Sequence, residues 1–102
     1  MPEPRFEAAR ILGDRVRKVR THLGLSQETV GDLADMHWTN IGKIERGQAN
    51  PSFSTLIRLA GVLNVDPAVL VEGITPDQLG EHEHPLSARD LIEERKRREQ
   101  RD

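Results

Sequence analysis

The chain contains no cysteine and no tyrosine, and its only aromatic residues are two phenylalanines and one tryptophan. Without cysteine there is no disulfide, no thiolate metal ligand and no thiol nucleophile. With so few rings, the core of this 102-residue chain has to be aliphatic, and a chain of that length buries one small core. No apolar run approaches bilayer-spanning length, and the N-terminus lacks the apolar stretch of a signal peptide. A cytoplasmic protein with no membrane contact is expected. Catalytic patterns are missing as well. There is no glycine-rich phosphate loop, and every serine is accounted for by helix capping or a surface position. The sequence therefore predicts neither an enzyme nor a cofactor.

An excess of either charge is lacking too: 15 lysines and arginines stand against 17 aspartates and glutamates. The formal net charge is −2, whereas nucleic-acid-binding domains are often basic. The distribution is uneven, however. Arg15, Arg17, Lys18 and Arg20 cluster early, Lys43 and Arg46 form a second group, and the acids Glu28, Asp32 and Asp35 lie between them. Such a balance argues against strong non-specific binding to polyanions at physiological salt and leaves room for a local basic face.

The most informative stretch is Ser26–Gly47, SQETVGDLADMHWTNIGKIERG. It reads as two short helices with a turn between them. Ser26 is placed as N-cap ahead of Gln27-Glu28-Thr29, and Val30, Leu33 and Ala34 share an apolar face. In the second half Ile41, Ile44 and Glu45 fall on one side. Trp38, Thr39, Gly42, Lys43 and Arg46 fall on the other, at i, i+1, i+4, i+5 and i+8. An outward stripe of one indole, one hydroxyl, one bare backbone and two cations suits a flat, anionic surface rich in hydrogen-bond acceptors. The major groove of DNA is such a surface.

The succession GLSQ, Val-Gly-x-Leu-Ala, Ile-x-x-Ile-Glu-Arg-Gly and Asn-Pro-Ser resembles the Cro/CI (Xre-type) helix-turn-helix family of DNA-binding transcriptional regulators. The resemblance runs from about Leu12 to Gly73. It implies an all-α fold: a five-helix lambda-repressor-like DNA-binding domain, here with a C-terminal helical extension. Its third helix would enter the major groove, and a homodimer would sit on a two-fold operator in double-stranded DNA. By the same resemblance Trp38, Thr39 and Lys43 would contact bases with Asn40 in support, and Ser26, Gln27, Arg46 and Asn50 would contact phosphate. Arg20 and Glu45 would form a partly buried salt bridge between helices one and three. The ordinary alternatives are a core indole for Trp38, a surface amide for Gln27, and solvated charges for Lys43, Arg46, Arg20 and Glu45. The chain departs from the family at Asp35, where glycine is common in the turn, and at His37, where serine or threonine caps the recognition helix. Histidine caps there only as a neutral ring with a lone pair toward the backbone. Gly31 stands in place of the more usual alanine.

This divides the chain into an N-terminal arm over 1–11, the helix-turn-helix domain over 12–73, and a polar linker with a charged helix over 74–102. Phe6, Ala9, Leu12, Val16, Val19 and Leu23 recur at helical spacing, but Gly13 interrupts them, so the main helix is expected to begin near Leu12. Ser52 is placed to cap a helix whose apolar face comprises Phe53, Leu56, Ile57, Leu59, Ala60 and Leu63. Asn64 should end that helix in the left-handed region, and Asp66-Pro67 should open a short fifth one. Val65, Val69, Leu70, Val71 and Ile74 are the candidates for contact with a second copy. Farther on, Glu81-His82-Glu83-His84-Pro85 reads as a linker, and no metal site is expected of its two histidines. Ser87 and Asp90 form a capping box ahead of a charged helix whose only apolar residues, with Leu86, are Leu91 and Ile92. An antitoxin-like protein whose C-terminal segment binds a partner polypeptide is one alternative. A restriction-modification controller and an interaction module without DNA binding are the others.

Overall fold

In the computed structural model, which describes residues 4–80 and 87–100, the first helix (α1) runs Glu7–His22 without a break. It thus begins five residues before Leu12, so residues 7–11, placed in the N-terminal arm, are part of the main helix. The reason is packing at Gly13. A Cβ built there would lie 2.3 Å from the carbonyl oxygen of Ile44 and 2.6 Å from that of Glu45. The glycine is the point where α1 touches the backbone of the third helix, and this contact outweighs its poor helix propensity. Phe6, fully extended, precedes the helix, and the Arg5 amide donates to Gly47 O at 2.9 Å, tying the entry to the end of the third helix.

The following helices are short and closely spaced: α2, Gln27–Leu33; α3, Trp38–Glu45; α4, Phe53–Val62; and α5, Pro67–Val71. Each start carries the cap that its sequence provides. Ser26 Oγ accepts from the Thr29 amide, Ser52 Oγ from the Thr55 amide and the Asp66 carboxylate from the Ala68 amide. Asp35 in the turn and Asn64 after α4 adopt left-handed backbones, with φ of 54° and 57°. A single 3-10 turn, Pro76–Leu79, packs against α1, and α6 spans Ala88–Glu99. The Ser87–Asp90 capping box is formed, and no residue of α6 is buried. Residues 81–86, with His82, His84 and Leu86, lie outside the described residues. Among those described there is no strand, and no helix is long and apolar enough to cross a membrane.

The core is aliphatic throughout: Leu12, Val16, Val30, Ala34, Ile41, Ile44, Leu59, Ala60, Leu63 and Leu70. Four expectations about it are corrected. Leu33 is 62% exposed and Phe53 80% exposed, and Ile57 is exposed as well. On α2 the i, i+4 pair Val30 and Ala34 fills the available space, and on α4 Leu59, Ala60 and Leu63 do, leaving the flanks of both stripes in solvent. Leu70, expected to face a second copy, is completely buried.

Two glycine replacements test this arrangement. Gly13→Ala should destabilise by ~1–3 kcal/mol, the cost of overpacking, against the intrinsic helix preference for alanine. Gly61→Ala, on α4 with nothing within 4 Å of its added Cβ, should stabilise by ~0.4–1 kcal/mol. Denaturant melts of both variants measure the signs, and a stabilised Gly13→Ala would refute the close approach of α1 to α3.

Candidate nucleic-acid interface

The elements on either side of the turn fix α3 against the body of the protein. Gly31 of α2 comes so close to the turn that an added Cβ would lie 2.7 Å from Met36 O. The Met36 amide in turn donates to Gly31 O at 2.8 Å. His37 caps α3: its Nδ1 accepts from the Thr39 amide at 3.2 Å, and its ring stacks on Trp38 at a centroid distance of 5.8 Å. This is the neutral-ring geometry that a histidine cap demands, and α3 starts at Trp38.

The buried face of α3 is Ile41, Ile44 and Glu45. Glu45 receives three hydrogen bonds. Arg20 Nε donates to Oε2 and Nη2 to Oε1 at 2.8 Å, a bidentate pair, and Gln27 Nε2 donates to Oε1 at 3.1 Å. The side chains of Arg20 and Glu45 are only 12% and 4% exposed. Arg20 Nη1 also donates to Leu25 O at 2.9 Å, so one guanidinium holds the end of α1, the entry to α2 and the end of α3. Hydrogen bonding to Glu45 holds the Arg20 guanidinium above its ordinary pKa, in spite of desolvation.

On the outer side Trp38 is 47% exposed, and Asn40, Lys43 and Arg46 are exposed, with Thr39 half-buried beside them. Lys43 has no ion-pair partner among the described residues. Gly42 is corrected from this stripe: it is buried beneath two side chains, with Arg46 Nη1 2.9 Å and Gln27 Oε1 3.5 Å from where its Cβ would stand. Its bare backbone makes room for Gln27 and Arg46 and is not itself presented outward. Arg46 Nε further donates to Gln48 Oε1 at 3.3 Å. Ser26 and Asn50 are exposed, the Ser26 hydroxyl being engaged as the cap of α2. Of the early basic cluster, Arg17 and Lys18 remain exposed, while Arg20 is internal and Arg15 Nη1 donates to Leu70 O at 3.2 Å.

The geometry is that of a short helix with one buried face, one exposed face and a preceding helix packed against it. A family model described as helix-turn-helix matches residues 16–70. The chain belongs to the Cro/CI (Xre-type) helix-turn-helix family. That family consists of transcription regulators, not enzymes. Among its relatives, the control protein C.SmaI of Serratia marcescens is 40% identical over 70 residues, 67% of this chain and 83% of that protein. The restriction-modification controller protein C.AhdI from Aeromonas hydrophila is similar in structure, with a TM-score of 0.60 and 39% identity over 61% of this chain and 94% of the other. The P22 c2 repressor in complex with a synthetic operator matches with a TM-score of 0.59 and 27% identity, covering 62% of this chain and 96% of that one. This chain thus carries the DNA-binding fold of helix-turn-helix transcription regulators. The resemblance leaves Gln27 either to contact phosphate or to support the recognition helix; its bond to Glu45 on the next helix is the supporting contact, whose partner an amide at a helix start does not name.

The scaffold makes a definite prediction. Arg20→Met should destabilise by ~3–5 kcal/mol, because Glu45 would stay inside without its cation. Adding Glu45→Leu should recover much of the loss in thermal melts. Strictly additive losses in the double variant would mean that the two side chains are energetically independent.

Proposed function

We propose that this protein regulates transcription in the cytoplasm as a homodimer, each copy inserting α3 into the major groove of one half of a two-fold operator. The observation that carries this reading is the division of α3: Ile41, Ile44 and Glu45 are buried, while the side chains of Trp38, Asn40 and Lys43 stand exposed with no partner among the described residues beyond the Trp38–His37 stack. Trp38, Thr39 and Lys43, supported by Asn40, would read base edges; Ser26, Gln27, Arg46 and Asn50 would hold phosphates. Gln27 keeps one amide hydrogen for this, the other being given to Glu45. One such helix spans few base pairs, so two copies with half-site centres about 34 Å apart are needed for useful specificity.

For the contact between copies, the exposed apolar side chains of α4 and α5 are the candidates: Phe53, Ile57, Val69 and Val71. Likeness to two control proteins, C.SmaI and C.AhdI, favours a restriction-modification circuit over an antitoxin role. A methyltransferase gene next to this one would support that assignment, and a toxin gene there would reverse it. In the antitoxin case residues 74–102 would hold the partner polypeptide.

Lys43→Ala should weaken binding by ~1–3 kcal/mol at one base pair of each half-site and little at others. Arg46→Ala should weaken all sequences alike and lower the salt slope by about one unit. Titrations against single-position operator variants at several salt concentrations separate the two patterns, and a uniform loss in Lys43→Ala would remove it from the base-reading set.

For self-association, Phe53→Ser with Val69→Ser should leave stability within ~0.5 kcal/mol per site, as expected of exposed positions, and weaken the dimer in sedimentation. Truncation after Gly80, which removes α6 and its exposed Leu91 and Ile92, should also weaken it. A dimer constant unchanged by the truncation would assign α6 to some other partner.

A further inference from the structure

His37 does more than begin α3. Its Nδ1 lies 3.2 Å from the Thr39 amide nitrogen and also 2.7 Å from Thr39 Oγ1. A backbone N–H can only donate, so Nδ1 carries a lone pair and the ring proton resides on Nε2. An oxygen held 2.7 Å from a nitrogen lone pair needs a hydrogen between them. Nδ1 has none, so that hydrogen is the hydroxyl's own. Thr39 Oγ1 therefore directs its proton inward to His37 and has only lone pairs left for the outside. The imidazole is itself kept in place by stacking on Trp38, the two planes inclined by 28°.

We propose that His37 makes Thr39 an obligate hydrogen-bond acceptor and so determines specificity: Thr39 selects a base that offers an amino group in the major groove, adenine through N6 or cytosine through N4. The proposal rests on the reading that Thr39 contacts a base. A freely rotating threonine hydroxyl is a poor discriminator, because it donates to guanine O6 or thymine O4 as readily as it accepts from an amino group. With its proton committed, the same oxygen faces guanine and thymine lone pair to lone pair. Discrimination of about five- to tenfold is expected, the lower end for a base-edge contact.

The test is selection of bound sequences from a random DNA pool by the full-length protein and by Thr39→Val, Thr39→Ser, His37→Asn and His37→Ala. Thr39→Val keeps the shape and lacks the hydroxyl, so the position whose preference it erases is the one that Thr39 faces. Wild type should show adenine or cytosine there. Thr39→Ser and His37→Asn should keep that preference, since the asparagine oxygen is an acceptor in much the same place as Nδ1. His37→Ala should admit guanine and thymine at that one position, beyond any uniform loss of affinity from the missing cap. A preference for guanine or thymine in the wild type, loss of the preference in His37→Asn, or its survival in a folded His37→Ala would overturn the role of His37 while leaving the base contact standing. If Thr39→Val alters no position, the base contact itself is wrong and the proposal goes with it. Should His37→Ala fail to fold, His37→Asn and the identity of the wild-type base decide the matter.

Discussion

The Glu45 carboxylate is the point on which the positions of three helices depend. It sits at the end of α3, nearly out of solvent, and is met by a guanidinium from α1 and an amide from the first turn of α2. Charges in such a place contribute little net stability, because desolvation offsets most of their attraction. Their value is directional. A bidentate guanidinium–carboxylate pair tolerates little rotation of either partner, and a rotation of α3 about its axis would carry Glu45 away from Arg20. Fixing Glu45 inward thereby fixes Lys43 and Trp38 outward, at a distance of less than two turns along the same short helix.

Glycine complements this arrangement by bringing backbones together where side chains would hold them apart. Gly13 brings α1 onto the last carbonyls of α3, seven residues before Arg20, so that α1 holds the end of α3 by a backbone contact as well as by the ion pair. Gly31 does the same between α2 and the turn, and Gly42 admits the side chains of Gln27 and Arg46 over α3. An eight-residue helix has little stability of its own. Held by a close backbone contact, a buried ion pair and a capped start, it becomes a rigid support for exposed side chains, which a recognition surface requires.

Much of this was legible in the sequence, and the failures have a common cause. Helical periodicity correctly grouped Ile41 and Ile44 with Glu45, because residues at i, i+3 and i+4 share one face of a helix. The caps at Ser26, Ser52 and Asp66 followed from residue type alone. Periodicity gives the direction of an apolar face but not its width, so Leu33, Phe53 and Ile57 were assigned to a core that had no room for them. Nor does it separate an apolar residue facing its own core from one facing a second copy, as Leu70 illustrates. Glycine was the other difficulty. Gly13 read as an interruption and Gly42 as exposed backbone, whereas both are places where something else comes close, and that something lies elsewhere in the chain.

The same long-range contacts change the meaning of the charge balance. Three arginines are used within the fold. Arg15 reaches Leu70 O near the end of α5, Arg58 reaches Ala34 O at the end of α2, and Arg20 holds Glu45 and Leu25 O. Guanidinium groups at helix ends satisfy carbonyls that lack an intrahelical partner, and the cation suits the negative end of the helix dipole. These residues stitch α1 to α5, α4 to α2 and α1 to α3, so counting them as a phosphate-binding surface overstates it. What remains near α3 is Lys43, Arg46 and the helix starts, on a chain with a formal net charge of −2. In the proposed complex few phosphates would be neutralised per copy, and the salt-dependent, sequence-blind part of the affinity would be correspondingly small. Such a complex would gain little from random DNA. In that proposed complex the balance would fall to the exposed side chains of α3 and to the pairing of two copies, and for that reason the rotational setting of one short helix would matter more than the total charge.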